Sequence, residues 1–294
     1  MTIVKNVCVV GASGTVGLAL SERLSSLKNV AMTRLTRDTP AAGREVLLDL
    51  ADLVVLCLPA SVSREFAESV PAGKRILDCS SVHRQSSGWV YGLPELSREQ
   101  PSVIRSATRV ANPGCFATGA VLALRPLSDL LGSYPVSVFG VGGVSSGGRR
   151  LLEEHAQSPV SHRLYGLDLQ HRHTAEIAHH AGLSALPTFL PNVGGFERGT
   201  MVQVPLCLRS LNVSAEDLML RYRQAYDGTD VRVARGEQAA YLAADERVGS
   251  DDAVLRLNFD EASRRAVVTV TFDNLGKGAA GAALRNILLM LGQD

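Results

Sequence analysis

Five cysteines in 294 residues is an odd and sparse count, which excludes a disulfide framework and points to a reducing compartment. Excess charge of either sign is also missing. Thirty Lys+Arg stand against twenty-nine Asp+Glu, a formal net charge of +1, so no long-range field gathers nucleic acid or an anionic membrane. No apolar run approaches the roughly 18 residues a membrane span requires. The opening MTIVKNVCVVGASG has neither the long apolar stretch nor the cleavage site of a secretory signal. Repeats and low-complexity tracts are absent. What is present is ordinary globular composition, 46% hydrophobic and 20% charged, with length for one to three domains at roughly 100 to 200 residues each. The expectation is a cytoplasmic protein whose partner is a small molecule or another subunit, with neither nucleic acid nor membrane involved.

The apolar pattern then sets the fold class. Val7 to Val10 is a β-branched run ending at Gly11, followed by Val16, Leu20, Leu24 and Leu27 at helical spacing. Strand-like runs at Val30 to Leu35, Leu53 to Leu58 and Arg75 to Cys79 alternate with helix-compatible stretches at Val46 to Leu50 and Ser63 to Val70. Continuous apolar strands between amphipathic helices require a parallel sheet covered on both faces. After about residue 135 the texture changes. Strands are expected at Val136 to Val141, Thr200 to Leu208, Val254 to Phe259 and Ala266 to Phe272, the last two forming a hairpin. Ser214-Ala215-Glu216-Asp217 opens a helix with a capping-box-like pattern. The fold class is therefore α/β: a Rossmann-type doubly wound parallel sheet over 1–114, an α+β second domain over 115–273, and a C-terminal helix over 274–294. That helix carries Ala280, Leu284, Ile287, Leu288 and Leu291 on one face, a stripe that must return to the first domain to be buried.

Between the first strand and helix, Gly11-Ala12-Ser13-Gly14-Thr15-Val16-Gly17 reads G-x-x-G-x-x-G. Glycines there permit a tight turn and close backbone approach to a pyrophosphate, whose charge the helix N-terminus faces. A ribose-binding carboxylate is expected at the end of the second strand for NAD. Thr33-Arg34-Leu35-Thr36-Arg37-Asp38 offers hydroxyls and guanidiniums instead, which suits a 2′-phosphate and favours NADP(H), while Asp38 leaves NAD open. Pro59 and Ser80, following the third and fourth strand runs, complete this first group of cofactor candidates.

Cys8, Cys57, Cys79 and Cys207 sit in or at the ends of apolar runs and read as small buried hydrophobes. Cys115 differs. In Ala111-Asn112-Pro113-Gly114-Cys115-Phe116-Ala117-Thr118 it stands at a helix start, where free amides and the dipole lower a thiol pKa. Such a cysteine can form a thioester that a dihydronicotinamide reduces. In His171-Arg172-His173-Thr174-Ala175-Glu176, Thr174 can cap a helix and a histidine oriented by a carboxylate can move a proton. No third ligand accompanies the two histidines, so no metal is expected. His83, His155, His162, His179 and His180 read as surface residues.

Four motifs occur in order: Tyr91-Gly92-Leu93-Pro94-Glu95, the Ala111 to Cys115 segment, His171 to Ile177, and Asp273-Asn274-Leu275-Gly276-Lys277-Gly278-Ala279-Ala280-Gly281. With them the whole chain resembles the shorter N-acetyl-γ-glutamyl-phosphate reductases of arginine biosynthesis, within the aspartate-semialdehyde dehydrogenase superfamily. About sixteen residues, Asp38 to Leu53, join the second and third strands, as in that short form. The resemblance implies NADPH-dependent reduction of N-acetyl-glutamyl 5-phosphate to the semialdehyde with phosphate release. It makes Cys115 the nucleophile, His173 the acid/base and Glu176 its support, with His171 the rival for the proton role. Asn112, Ser145, Arg149 and His171 become substrate candidates, and Asn274, Lys277 and Gly278 cofactor contacts at the nicotinamide end. A homodimer or homotetramer through the second domain is implied as well.

Phe116, Ala117, Ser146, Ala175 and Ala282 replace residues usual in that family, without removing a group the chemistry requires. The alternatives are a reductase of aspartyl phosphate or of a carrier-bound aminoadipyl or glutamyl phosphate, and a non-catalytic NADP-binding sensor. The pairing of Cys115 with His173 speaks against the sensor.

Overall fold

The structure is a computed structural model that describes residues 4–159, 161–236 and 241–293. It divides into two compact units, the first comprising Met1–Pro94, Glu99–Pro113 and Ala279–Asp294, the second Glu95–Arg98 and Gly114–Gly278. The first contains β1 (Lys5–Val10), α1 (Thr15–Ser25), β2 (Val30–Leu35), α2 (Ala41–Leu50), β3 (Leu53–Leu56), α3 (Ala60–Ser69), β4 (Arg75–Asp78), β5 (Val90–Tyr91), α4 (Gln100–Ser106) and β6 (Arg109–Ala111). The second holds α5 (Cys115–Leu124), α6 (Ser128–Leu131), β7 (Ser137–Gly142), α7 (Gly148–Gln157), β8 (His162–Leu164), α8 (Arg172–Ala181), β9 (Thr188–Gly194) and β10 (Thr200–Cys207). It continues with α9 (Leu208–Leu211), α10 (Ala215–Tyr226), β11 (Val231–Arg235), β12 (Ala253–Asp260) and β13 (Arg265–Phe272), before α11 (Gly281–Leu291) rejoins the first unit.

The first sheet is parallel, in the order β2-β1-β3-β4-β6-β5. Its strands alternate cleanly between two cores, as a period of two residues demands. Val7, Val9, Leu53 and Val55 join Leu20, Leu24, Ile104, Ile287 and Met290 on one face. Cys8, Val10, Val54 and Leu56 join Leu48, Ala67 and Val70 on the other. Helix α11 thus covers the same face as α1 and α4, and the expected Rossmann-type sheet with a returning C-terminal helix is what is found. A buried asparagine fixes that return. Asn286 Nδ2 donates to Gly92 O at 2.8 Å and to Asn112 Oδ1 at 3.0 Å, and a Cβ on Gly92 would stand only 2.5 Å from it.

The second sheet is mixed, in the order β11-β12-β13-β10-β7-β9-β8, with the expected β12–β13 hairpin paired antiparallel. Helix α5 is buried from Phe116 to Leu124. A Cβ on Gly119 would reach Val202 and Phe272 at 2.7 and 2.8 Å, so glycine lets α5 lie close on β10 and β13. Helix α10 carries the complete capping box of Ser214 and Asp217. Its Tyr222 and Tyr226 hydroxyls donate to the carbonyls of Ala123 and Leu122 near the end of α5. Strand β9 is not anticipated by the sequence pattern, because Pro191 interrupts its apolar run and reads as a breaker.

Candidate active site

In the first unit the sheet order reverses between β1 and β3, the place where ligands bind at the carboxyl ends of such sheets. A cleft of about 710 Å³ opens there, lined by Gly11, Ser13, Gly14, Thr36, Arg37, Asp38, Arg44, Cys57 and Pro59 among others. Gly11 has φ +82°, and a Cβ on it would lie 2.5 Å from Cys57 O. A Cβ on Gly17 would lie 2.4 Å from Gly11 O, so these two glycines close the turn and Gly14 stays open toward the cleft. Gly14 caps α1 without any side-chain cap bond. The first amides of the helix therefore suit a pyrophosphate, and Arg37 with Arg44 suits a further phosphate. Thr15, Val16 and Gly17 form the first turn of α1 behind the loop. Arg44 was invisible in sequence because it enters from the middle of α2.

Ser80 lies outside that lining. Its hydroxyl donates to Asp78 Oδ2 at 2.7 Å, beside bonds from Ser63 Oγ to Oδ1 at 2.6 Å and between His83 Nδ1 and Oδ2 at 2.7 Å. His83 is therefore a buried residue, stacked on Trp89 at 3.9 Å, which corrects its reading as a surface histidine. Asn112 is also committed within this unit, its Nδ2 donating to Ala279 O at 3.1 Å and its Oδ1 accepting from Asn286.

In the second unit Cys115 is the first residue of α5, capped by extended Gly114. Gly114 N–H donates to Glu176 Oε1 at 2.8 Å, and Glu176 is 1% exposed. The carboxylate thus ties α8 to the turn that carries the thiol. Helix α8 begins three residues earlier than its sequence pattern implied. His171, not Thr174, is the cap, with Nδ1 accepting from His173 N–H at 3.1 Å. Burial first, and the Arg172 charge second, push the His171 imidazole down to about 4. It is neutral near pH 7, and the occupied Nδ1 leaves Nε2 to carry its proton. His173 is 3% exposed and meets Phe116 edge-on at 6.2 Å between centroids. Phe189 packs against both Phe116 and His171.

One residue here was missed. Tyr165 meets His171 edge-on at 5.6 Å, and its phenol is raised by burial and then by the charge of Cys115. Nothing in the spacing of the exposed segment before α8 singles it out.

The remaining candidates of this unit bond to protein. Asn274 Oδ1 accepts from Gly199 N–H at 2.8 Å, and its Nδ2 donates to Ser145 Oγ at 2.8 Å. Ser145 Oγ in turn donates to Glu197 O at 2.7 Å. Lys277 pairs with Glu95, both side chains almost fully buried. Gly278 lies against Cys115, so close that a Cβ on the glycine would stand 3.0 Å from the cysteine Cβ. Arg149 stands at the exposed start of α7.

The other thiols divide. Burial raises Cys8, and a hydrogen bond with Cys57 together with burial raises Cys79. Cys207 departs from its reading as a buried hydrophobe. It is partly exposed at the end of β10, and hydrogen bonds from Ser210 lower its pKa.

Comparison with known proteins gives a consistent result. Residues 115–274 match a family model described as semialdehyde dehydrogenase, dimerisation domain, and residues 45–104 one described as semialdehyde dehydrogenase, NAD binding domain. The chain is 41% identical to N-acetyl-gamma-glutamyl-phosphate reductase 2 of Pseudomonas putida, over 96% of this chain and 95% of that one. It is 39% identical to N-acetyl-gamma-glutamyl-phosphate reductase of Allorhizobium ampelinum, covering 96% and 97%. In fold it is similar to aspartate semialdehyde dehydrogenase II of Vibrio cholerae, with a TM-score of 0.78 at 17% identity over 98% and 99% of the two chains. The aspartate semialdehyde dehydrogenase of Candida albicans, solved with NADP, aligns with a TM-score of 0.67 at 15% identity over 99% of each chain.

Proposed function

The chain belongs to the N-acetyl-gamma-glutamyl-phosphate reductase family, and from that premise we propose how its residues perform the reaction. It is an NADP-dependent, phosphorylating semialdehyde dehydrogenase that reduces N-acetyl-γ-glutamyl phosphate to the semialdehyde in arginine biosynthesis. The observation that carries the assignment of roles is the bond from Gly114 N–H to Glu176 Oε1, which joins the nucleophile's turn to the helix bearing His173.

The amides and dipole at the head of α5 favour the Cys115 thiolate. It attacks the γ-acyl carbon, the C–S bond forms, the C–O bond to phosphorus breaks, and inorganic phosphate departs. Reduced nicotinamide, when bound, supplies the hydride that takes the thioester to the aldehyde level. The C–S bond then breaks, releasing aldehyde and restoring the thiolate. His173 supplies the proton taken up by the departing phosphate, and Glu176 fixes the helix on which it rides. His171, neutral with its proton on Nε2, donates to a substrate oxygen, and Arg149 offers positive charge to the phosphoryl group. Ser145 and Asn112 act on the substrate by holding backbone in place. The glycine loop with Thr36, Arg37, Arg44 and Pro59 holds the dinucleotide. The free acyl phosphate, rather than a carrier-bound one, is the substrate.

Self-association as a homodimer or homotetramer uses the face of the second sheet turned away from α5, where Phe139 is 39% exposed next to Gln203 in register. No helix among the described residues is long and apolar enough to cross a membrane, and we place the enzyme in the cytoplasm. The test is phosphate-dependent oxidation of the semialdehyde with NADP, run beside Cys115→Ser. Loss of turnover on the order of 10³-fold or more is expected, and substantial residual turnover sinks the covalent route.

A further inference from the structure

Glu95 and Lys277 are 182 positions apart in sequence, yet their side chains form an ion pair with exposures of 2% and 3%. Burying two charges costs solvation that the pair recovers only when its remaining polar atoms are also satisfied. Glu95 Oε2 is buried without a hydrogen-bond partner, so stability alone is a poor account of the pair. Position is a better one. Lys277 lies in a single π-helical turn, Gly276–Ala280, a geometry that occurs as isolated turns at functional sites and needs outside support.

The support is visible on both sides of the lysine. Gly276 N–H and Gly278 N–H both donate to Asp273 O, at 3.1 and 3.0 Å. The Asp273 carboxylate, fully buried, takes Arg198, Gly249 N–H and Leu275 N–H. What the turn presses on is the nucleophile. A Cβ on Gly278 would lie 3.0 Å from Cys115 Cβ and 3.1 Å from the Phe272 ring. The residue after the clamped lysine is therefore in backbone contact with the reactive side chain.

We propose that the buried Glu95–Lys277 pair is a clamp that seats the Gly276–Ala280 turn against Cys115, making Glu95, Lys277 and Gly278 positioning residues for the nucleophile. The proposal rests on the reading of Cys115 as nucleophile. Thiol geometry at the head of α5 decides both attack on the acyl carbon and exposure of the sulfur to the helix amides, so loosening the clamp changes kcat more than KM. Its effect is carried through Cys115 and requires no contact of Lys277 with substrate or cofactor.

The experiment uses the full-length enzyme in a Cys207→Ser background, which removes the second activated thiol. Variants are Gly278→Ala, the double Glu95→Leu/Lys277→Met, and Lys277→Arg. Gly278 is not among the positive-φ residues, so alanine is compatible with its backbone. An apolar replacement of both partners of a buried pair is compatible with folding. Measured are thermal unfolding, kcat and KM, and the pH profile of Cys115 alkylation by iodoacetamide, followed by mass spectrometry. Gly278→Ala and the double variant are expected to lose about 10²-fold in kcat with KM little changed, and to shift the alkylation midpoint in the same direction. Lys277→Arg, which keeps the pair, recovers part of the loss. Wild-type kcat and an unmoved alkylation profile in Gly278→Ala overturn the clamp, and so does a double variant that alters only the unfolding temperature. If the double variant does not fold, Gly278→Ala decides. If the parent enzyme fails to turn over the acyl phosphate, the functional reading fails, while the alkylation profiles still decide the clamp.

Discussion

The dinucleotide cleft of the first unit is lined by three loops at the ends of β1, β2 and β3, with Arg44 from α2 and Val62 and Phe66 from α3, and its tight turn is set by glycine backbone. The arrangement around Cys115 in the second unit depends instead on buried polar bonds between residues far apart in sequence, Gly114 with Glu176, Ser145 with Asn274 and Glu95 with Lys277. The difference is one of tolerance. A cleft of amides and glycines loses little when one peripheral side chain changes, since charge at its rim is solvated. A packed network of buried polar bonds loses the full cost of whichever partner is left behind.

The sharpest way to test that contrast is at His173. His173→Asn removes the proposed proton donor and is expected to lower kcat by about 10²- to 10⁴-fold, with the unfolding temperature lowered as well because the ring is buried against Phe116. His171→Asn should cost less, because in the proposed mechanism its Nε2–H supplies a hydrogen bond and moves no proton. The two variants are compared by steady-state rates at saturating acyl phosphate. A larger loss for His171→Asn reverses the assignment of roles.

The same contrast explains what could be read in the sequence. G-x-x-G-x-x-G, the Thr36-Arg37 pair and the alternation of strands and helices are local patterns, and local patterns survive folding. Cys115 was legible for that reason too, since a helix start is visible in Gly114-Cys115-Phe116. Asn274, Lys277 and Ser145 were legible as important but not as to their job. A polar residue in a motif looks the same whether it meets a ligand or a distant backbone amide, and only the fold shows that Asn274 bonds Ser145 across 129 positions. Tyr165, Arg44 and the Glu95–Lys277 pair owe their places to long-range packing, for which one sequence carries no period or spacing. His83 was misjudged because Asp78 and Trp89, which bury it, lie on either side of a turn.

On the side of the cleft, a smaller effect is expected. Arg37→Ala removes the charge-assisted contact proposed for the 2′-phosphate, worth about 1.5 to 3 kcal/mol, and should raise KM for NADPH about tenfold or more while leaving that for NADH nearly unchanged. Steady-state kinetics with both cofactors read the outcome. An equal change with NADH would show that Arg37 serves the fold of the 36–39 turn and not the phosphate, and would bring the cleft closer to the second unit in kind.

The smallest effect is a slope in stability with pH, and it comes from the polar network. His171 is pushed down to about 4 by burial and by Arg172, against opposing charge from Glu176 and Asp168. An unfolded chain takes up a proton at this residue below about 6.5, whereas the folded chain resists until about 4. Stability at this residue is therefore fully present above pH 6.5 and is lost as pH falls from there toward 4. The ceiling for one proton is about 1.4 kcal/mol per pH unit, and partial solvent exposure of the ring reduces it. His171→Asn keeps an acceptor at the cap of α8, since asparagine is among the best N-cap residues, but has nothing to titrate. Its unfolding temperature should decline less steeply than the wild type's between pH 6.5 and 4, with the two curves parallel above that window. Parallel curves throughout would mean that the ring is solvated in the folded protein, and the neutral Nε2–H donor assigned to His171 would have to be given up.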